Sequence, residues 1–336
     1  MCGRPRSLVS WIGLTFLEPG HMETKSNAFA ATIASVKRNP LAALLGAAIF
    51  ATLVYFFGFV RLFSVGTESA AVWAWRAWNP ETNYEHAKLI LPIVAFIIWW
   101  ERDKLRKAPL GSSSCGWLFI AFGLFLFLAA ARTVQARIAL TSVPFLLFGI
   151  ILYAWGWSVA RVLLFPIAFL LFMVPLNFLA QATTKLQFVE TGIATAICNF
   201  IGIHVHAIGT VVQAADKSFN FEVDEGCSGI RSLMAITMLS AIYAHFWQDR
   251  LWKKLCVFAA AILFAIAGNA GRLVSIFAVG RFFGQDLAGG PYHMLSGYLS
   301  FPFAIGAMLV FGKLLNLRPA RLKQIATQKD AVSYDY

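Results

Sequence analysis

The chain has 336 residues, of which 59% are hydrophobic, 15% aromatic and only 13% charged. Since soluble domains carry roughly 25% charged residues, this composition excludes an ordinary soluble protein and indicates a polytopic membrane protein. The net charge of +12 comes from Lys and Arg in short clusters between apolar runs. That distribution is typical of cytoplasmic loops, so the charge does not call for a nucleic-acid partner.

The predicted fold is an all-α polytopic membrane protein with about eight transmembrane helices and a small outer cap. Residues 1–40 are moderately basic and are predicted to form a cytoplasmic tail, with Met22 as an alternative start. The apolar runs that follow have roughly the length a bilayer requires. They lie at residues 41–63, 87–100, 116–131, 138–155, 158–179, 228–247, 255–280 and 294–312. They define a transmembrane domain at 41–315 and a cytoplasmic tail at 316–336.

Basic clusters set the predicted orientation. With a cytoplasmic N-terminus, the clusters at 101–107, 249–254 and 313–323 all fall inside. Arg132 and Arg137 fall in an outer loop and argue against this topology.

Residues 180–226 form a long outer segment in this topology. Its apolar spacing through Ile203 predicts an interfacial helix, and the alternation from Val205 to Val223 predicts a hairpin in an outer cap. If residues 188–203 crossed the membrane instead, Cys227 would change sides.

The cap leads into Asp224-Glu225-Gly226-Cys227-Ser228-Gly229-Ile230-Arg231, where a thiol stands between two glycines at a predicted helix N-terminus. A helix N-terminus favours a thiolate and offers backbone N–H groups to an oxyanion. The alternative is that Cys227 is a small buried residue in a tight turn. The five cysteines form no CxxC pair, so neither a zinc site nor a disulfide framework is indicated, and no cofactor is expected.

Two further polar residues are predicted to lie at the depth of this thiol. The separations from the basic inner markers are 18 residues from Lys254 to Arg272, 20 from His293 to Lys313 and 23 from Cys227 to Arg250. As helices these span about 27, 30 and 35 Å, each close to one hydrocarbon thickness. A thiol, a guanidinium and an imidazole at the outer surface suit acyl transfer. Taken singly, Arg272 also fits a snorkelling side chain, and His293 fits a helix start at the interface.

Several segments together resemble the exosortase family of membrane cysteine transpeptidases, which is related to the archaeosortases. The resemblance covers about residues 41–315 and is carried by Glu225–Arg231, Asn269–Arg272, His293 with Gly297, Phe172–Leu176, Asn83–His86 with Leu91-Pro92, and Trp100–Arg102. Gly226 departs from the more usual Ala of the family, and Ala87 stands in place of a Gly.

The resemblance implies that Cys227 is the nucleophile, that Arg272 stabilises the oxyanion or thiolate, and that His293 is the acid and base. Arg231, Asn269 and Ser228 are expected to support them. It further implies a bacterial inner-membrane protein whose site faces the periplasm. The implied substrates are exported proteins that end in a Pro-Glu-Pro type motif, a transmembrane helix and a basic tail, in a pathway of exopolysaccharide or surface-protein export.

Two other functions fit parts of the same pattern. A transporter or assembly factor for export would use the polar residues to line a path or an interface, although transporters place such residues near the midplane and this chain has no internal repeat. A family member that only binds sorting signals is the other alternative.

Overall fold

The computed structural model describes residues 48–64, 67–175, 177–223 and 230–316, and most of these are helical. The predicted N-terminal tail and all of the predicted C-terminal tail except Asn316 lie outside this part. The chain divides into two units, residues 1–72 and 73–336. In the first unit, α1 (Ala48–Phe59) ends in a π-helical turn at Tyr55–Phe59, and Phe63 forms an antiparallel bridge with Glu68.

Helices account for most of the second unit, and α2 begins just before its boundary. In chain order the elements are α2 (Ala70–Ala77), α3 (Ala87–Trp100), α4 (Arg102–Lys107), α5 (Gly116–Thr133), α6 (Ala136–Phe169), a 3₁₀ turn (Leu170–Met173), α7 (Asn177–Phe200), β1 (Val205–Ile208), β2 (Val211–Ala214), β3 (Asn220–Glu222), α8 (Ile230–Trp247), α9 (Leu251–Phe283), α10 (Gln285–Gly289) and α11 (Pro291–Leu314).

Four helical segments in the described part of the chain are long and apolar enough to cross a membrane. They are α5, α6 with its 3₁₀ turn, α9 and α11. The chain is therefore a membrane protein, whereas the predicted count of eight crossings stays a prediction.

Helix α6 is a helical hairpin rather than one rod. Its backbone breaks at Gly156, where φ is 77°. The Arg137 guanidinium lies 5.4 Å from the Trp73 ring, and the Met173 carbonyl accepts a 2.8 Å hydrogen bond from Trp78 Nε1. Trp73 belongs to the short helix α2 and Trp78 follows its last residue, whereas a straight helix would separate residues 137 and 173 by about 54 Å. The break falls between the predicted spans 138–155 and 158–179.

The second arm of this hairpin ends earlier than the sequence predicted. It stops at Met173, not at residue 179, and Val174 is extended. Pro175 explains the difference, because proline has no N–H to donate and disfavours a helical conformation in the residue before it.

Helix α7 buries three polar residues in its middle. Gln187, Glu190 and Thr191 are buried, while Phe188 and Phe200 on the other face are exposed. This inverted amphipathic pattern suits a helix whose outer face meets lipid. It is compatible with the predicted interfacial position, which stays a prediction.

A small antiparallel sheet follows α7. The predicted hairpin is present as β1 and β2, with Val205 paired to Ala214, and β3 extends it along β2. The sheet packs against the C-terminal part of α9, where the Phe219 and Phe277 rings stack with centroids 6.0 Å apart. Whether this sheet forms an outer cap stays a prediction.

Candidate active site

Arg272 of α9 extends its guanidinium to α11. Its Nε donates to Ser296 Oγ at 3.3 Å, and its Nη2 donates to the His293 carbonyl at 3.3 Å. The same Nη2 lies 3.4 Å from His293 Nε2. Since a guanidinium can only donate, this long hydrogen bond needs an unprotonated Nε2 and so places the proton of a neutral His293 ring on Nδ1. The structure therefore brings together Arg272 and His293, which the sequence had put at one depth.

Small residues on α11 make this contact possible. Ser296 lies one turn after His293, and its hydroxyl donates to the His293 carbonyl at 2.9 Å. A Cβ on Gly297 would lie 3.4 Å from Arg272 Nη2 and 3.5 Å from its Cζ. The guanidinium thus lies flat against the glycine backbone, where any longer side chain would displace it.

Cys227 and Ser228 lie outside the described residues, so their predicted places are not tested. The length of the connecting chain nevertheless limits how far Cys227 can lie from the start of α8. Helices α8 and α9 pack side by side, joined by the short turn 248–250, so Ile230 at the start of α8 is level with about Gly268. Arg272 lies one turn further along α9. The chain length allows at most about 11 Å between the Cα atoms of Cys227 and Ile230.

Asn269 is paired with a residue that the sequence analysis missed. Its Nδ2 donates a 2.6 Å hydrogen bond to Glu190 Oε2, and both side chains are buried. Glu190 is the sole acidic residue of α7. A lone carboxylate in a helix whose only other charged residue is Lys185 was the available signal, since such residues are costly to bury.

Arg231, predicted to support the site, contacts a different loop in the structure. Its Nε forms a 3.0 Å ion pair with Glu85 Oε1, and its Nη2 donates to Asn83 Oδ1 at 3.1 Å. Arg231 is therefore in contact with the loop that carries Asn83 and Glu85. His86 in this loop is half-buried, and burial lowers its pKa from the usual value.

The described part of the chain contains Cys115, Cys198 and Cys256. Cys198 on α7 is fully buried, and burial raises the pKa of its thiol to about 11. Cys115 is exposed and Cys256 is partly buried, both near the basic clusters predicted to lie inside. Among the described residues, no group of three or more His, Cys, Asp or Glu side chains could hold a metal ion.

Comparison with known proteins identifies one family. The model of the transmembrane exosortase family matches residues 75–312, which is more than half of the chain. The searches of curated proteins and of solved structures found no match to the chain.

Proposed function

Because the chain belongs to the transmembrane exosortase family, we propose that it is a membrane-embedded cysteine protease or transpeptidase that cleaves C-terminal sorting signals of exported proteins. The proposed nucleophile is Cys227, with Arg272 as the anion stabiliser and His293 as the proton carrier. The proposed location is the inner membrane, with the site at its outer face.

One observation carries this proposal. Arg272 and His293, from two different helices, touch each other one turn beyond the level at which α8 starts. Cys227 precedes α8 by three residues, and we propose that it reaches both side chains. A thiol, a cation and an imidazole within one small volume suit covalent acyl transfer. By contrast, the buried Cys198 on the neighbouring α7 is held as a thiol by its raised pKa.

The proposed reaction starts with transfer of the Cys227 thiol proton to His293. The thiolate sulfur then attacks the scissile carbonyl carbon, forming a C–S bond and an oxyanion. Arg272 stabilises this oxyanion through charge-assisted hydrogen bonds. Its Nη1 carries two N–H groups that would donate to the oxyanion in this proposal.

The tetrahedral intermediate collapses when the C–N bond breaks and His293 gives its proton to the leaving amine. The product is a thioester between Cys227 and the N-terminal part of the substrate. Water or an acceptor amine then attacks the thioester carbonyl and regenerates the thiol. With water the protein is a protease, and with an amine it is a transpeptidase.

The experiment is coexpression with an epitope-tagged protein from the same genome that ends in a Pro-Glu-Pro type motif, an apolar helix and a basic tail. Processing is followed by immunoblot in wild type, Cys227→Ala and the control Cys115→Ala. We expect processing in wild type and Cys115→Ala, and none in Cys227→Ala at equal membrane abundance. Processing that persists in Cys227→Ala would refute the assigned nucleophile. A wild type that cuts no such substrate would favour the transporter or assembly-factor reading.

A further inference from the structure

Glu190 is the most deeply buried charged side chain in the described part of the chain, with 1% of its surface exposed. It lies on the inward face of α7 between Gln187 and Thr191. Gln187 Nε2 donates a long 3.4 Å hydrogen bond to the Val223 carbonyl, where the described part of the cap segment ends. Helix α7 thus contacts both Val223, at the end of the sheet segment, and the face of α9 that carries the candidate site.

The partner of Glu190 connects it to Arg272. Glu190 Oε2 accepts the 2.6 Å hydrogen bond from Asn269 Nδ2. Asn269 precedes Arg272 by three residues, so the two lie on the same face of α9. Two contacts, Glu190 with Asn269 and Arg272 with His293, therefore lead from α7 to one face of α9 and from that face to α11.

The charge state of Glu190 follows from its surroundings. Among the described residues, the elements packed most extensively against α7 are α9 and β1. On α9, Arg272 is close enough to interact electrostatically with the carboxyl, and on β1 the titratable residue is His206, which is exposed. Burial outweighs the opposing effects of Asn269 and Arg272 and raises the pKa of Glu190 to about 8. At neutral pH the carboxyl is therefore mainly uncharged.

An uncharged Glu190 and an ionised one would act differently on Arg272. The neutral carboxyl accepts the Asn269 hydrogen bond but leaves the positive charge of Arg272 uncompensated. The carboxylate would attract the guanidinium toward α7 and cancel part of its field. A thiolate or oxyanion at the site would then lose stabilisation.

We propose that Glu190 is a positioning residue of this site, which orients Asn269 through their hydrogen bond and controls how much of the Arg272 charge acts on the reacting groups. This inference rests on the proposed function, because it assigns Arg272 a role in anion stabilisation.

The test uses the full chain reconstituted in liposomes with the tagged sorting-signal substrate, and it measures initial processing rates from pH 6 to pH 9. Glu190→Gln keeps an acceptor for Asn269 but cannot ionise. We expect it to process within about twofold of wild type at pH 7 and to keep its activity about one pH unit further into the alkaline range. Glu190→Leu removes the acceptor and should lose at least about tenfold at every pH.

The control is Glu222→Gln, which removes a carboxylate from the exposed part of β3. Its pH profile should match that of wild type. If the Glu190→Gln and wild-type profiles superimpose, or if Glu190→Leu processes as wild type does, the inference is wrong while the proposed function stands.

Thermal unfolding provides a readout that needs no activity. A carboxyl with a raised folded-state pKa stabilises the fold at low pH, and this contribution is lost as the pH rises from about 4.5 to about 8. Wild type should therefore lose melting temperature over this range relative to Glu190→Gln. Glu190→Leu and Asn269→Leu should also be non-additive when combined.

The processing assay and the unfolding series test the proposed function and the role of Glu190 separately. If wild type processes no substrate, the proposed function fails, and the unfolding series alone decides the coupling. Parallel pH curves for wild type and Glu190→Gln, or additive Leu substitutions, would overturn the coupling of Glu190 to α9.

Discussion

Arg272 reaches His293 because α11 presents a glycine where its guanidinium lies. A Cβ at residue 297 would be 3.4 Å from Nη2, which is a contact that small shifts can absorb. The branched side chain of leucine would occupy the position of the guanidinium itself. The geometry of the Arg272–His293 pair thus depends on the absence of a long side chain at residue 297.

We predict that Gly297→Leu lowers substrate processing by about a hundredfold, since a misplacement of about 1 Å can cost that much, whereas Gly297→Ala stays within about threefold. Gly306→Leu is the matched control on the same helix, because a Cβ there would meet nothing within 4 Å. Processing rates at equal membrane abundance check this. Equal rates for Gly297→Leu and Gly306→Leu would show that the position of Arg272 does not matter.

At the scale of elements, a buried carboxylate joins α3 and α4 to α8. Glu101, 3% exposed, accepts from Lys104 Nζ at 2.8 Å and contacts His245 Nε2 at 3.0 Å. The His245 ring stacks on Phe165 of α6 with centroids 4.0 Å apart. Three parts of the bundle therefore meet at one side chain, at the end of α3 away from residues 83–86.

We predict that Glu101→Ala lowers the melting temperature by about 5 °C or more, because it removes a buried carboxylate that pairs with the partly buried His245 and with Lys104. The control is Asp103→Ala, which removes a carboxylate from an exposed pair 3.7 Å from Arg106. That change should be close to neutral, as exposed ion pairs contribute little. If Glu101→Ala and Asp103→Ala had the same melting temperature, the contacts of Glu101 would not stabilise the fold.

Some features of the helices and strands could be predicted from the sequence, and others could not. Apolar run lengths predicted the helices, and the hairpin of β1 and β2 followed from alternation. The helical segment after Gly156 was predicted to end at residue 179 but ends at Met173, because Pro175 was read as part of an apolar run. The pairing of Glu190 with Asn269 was missed because residues 79 positions apart leave no local pattern. The contact of Arg231 with Glu85 was unforeseen for the same reason.

At the scale of the whole molecule, the orientation rests on the basic clusters and on the position of the sheet. In the predicted topology the turn between β1 and β2 faces the outside, whereas the cluster at 101–107 faces the cytoplasm. Ile208 at that turn is 78% exposed, and Lys107 is exposed as well. Both positions are therefore suited to labelling.

We predict that Ile208→Cys, in a chain whose five native cysteines are replaced by Ala, reacts with a membrane-impermeant maleimide in intact spheroplasts. Lys107→Cys in the same background should react only after lysis. Labelling is read by gel shift. The reverse pattern would place the sheet in the cytoplasm and would move the candidate site to the wrong side for exported substrates.

The most direct test of the central claim is mass spectrometry of the chain isolated with its substrate, in search of a covalent adduct at Cys227. The account predicts that the N-terminal substrate fragment is attached to Cys227 as a hydroxylamine-sensitive thioester, and that it is absent from Cys227→Ala. A fragment attached to another residue, or substrate cleavage by a Cys227→Ala chain, would contradict it.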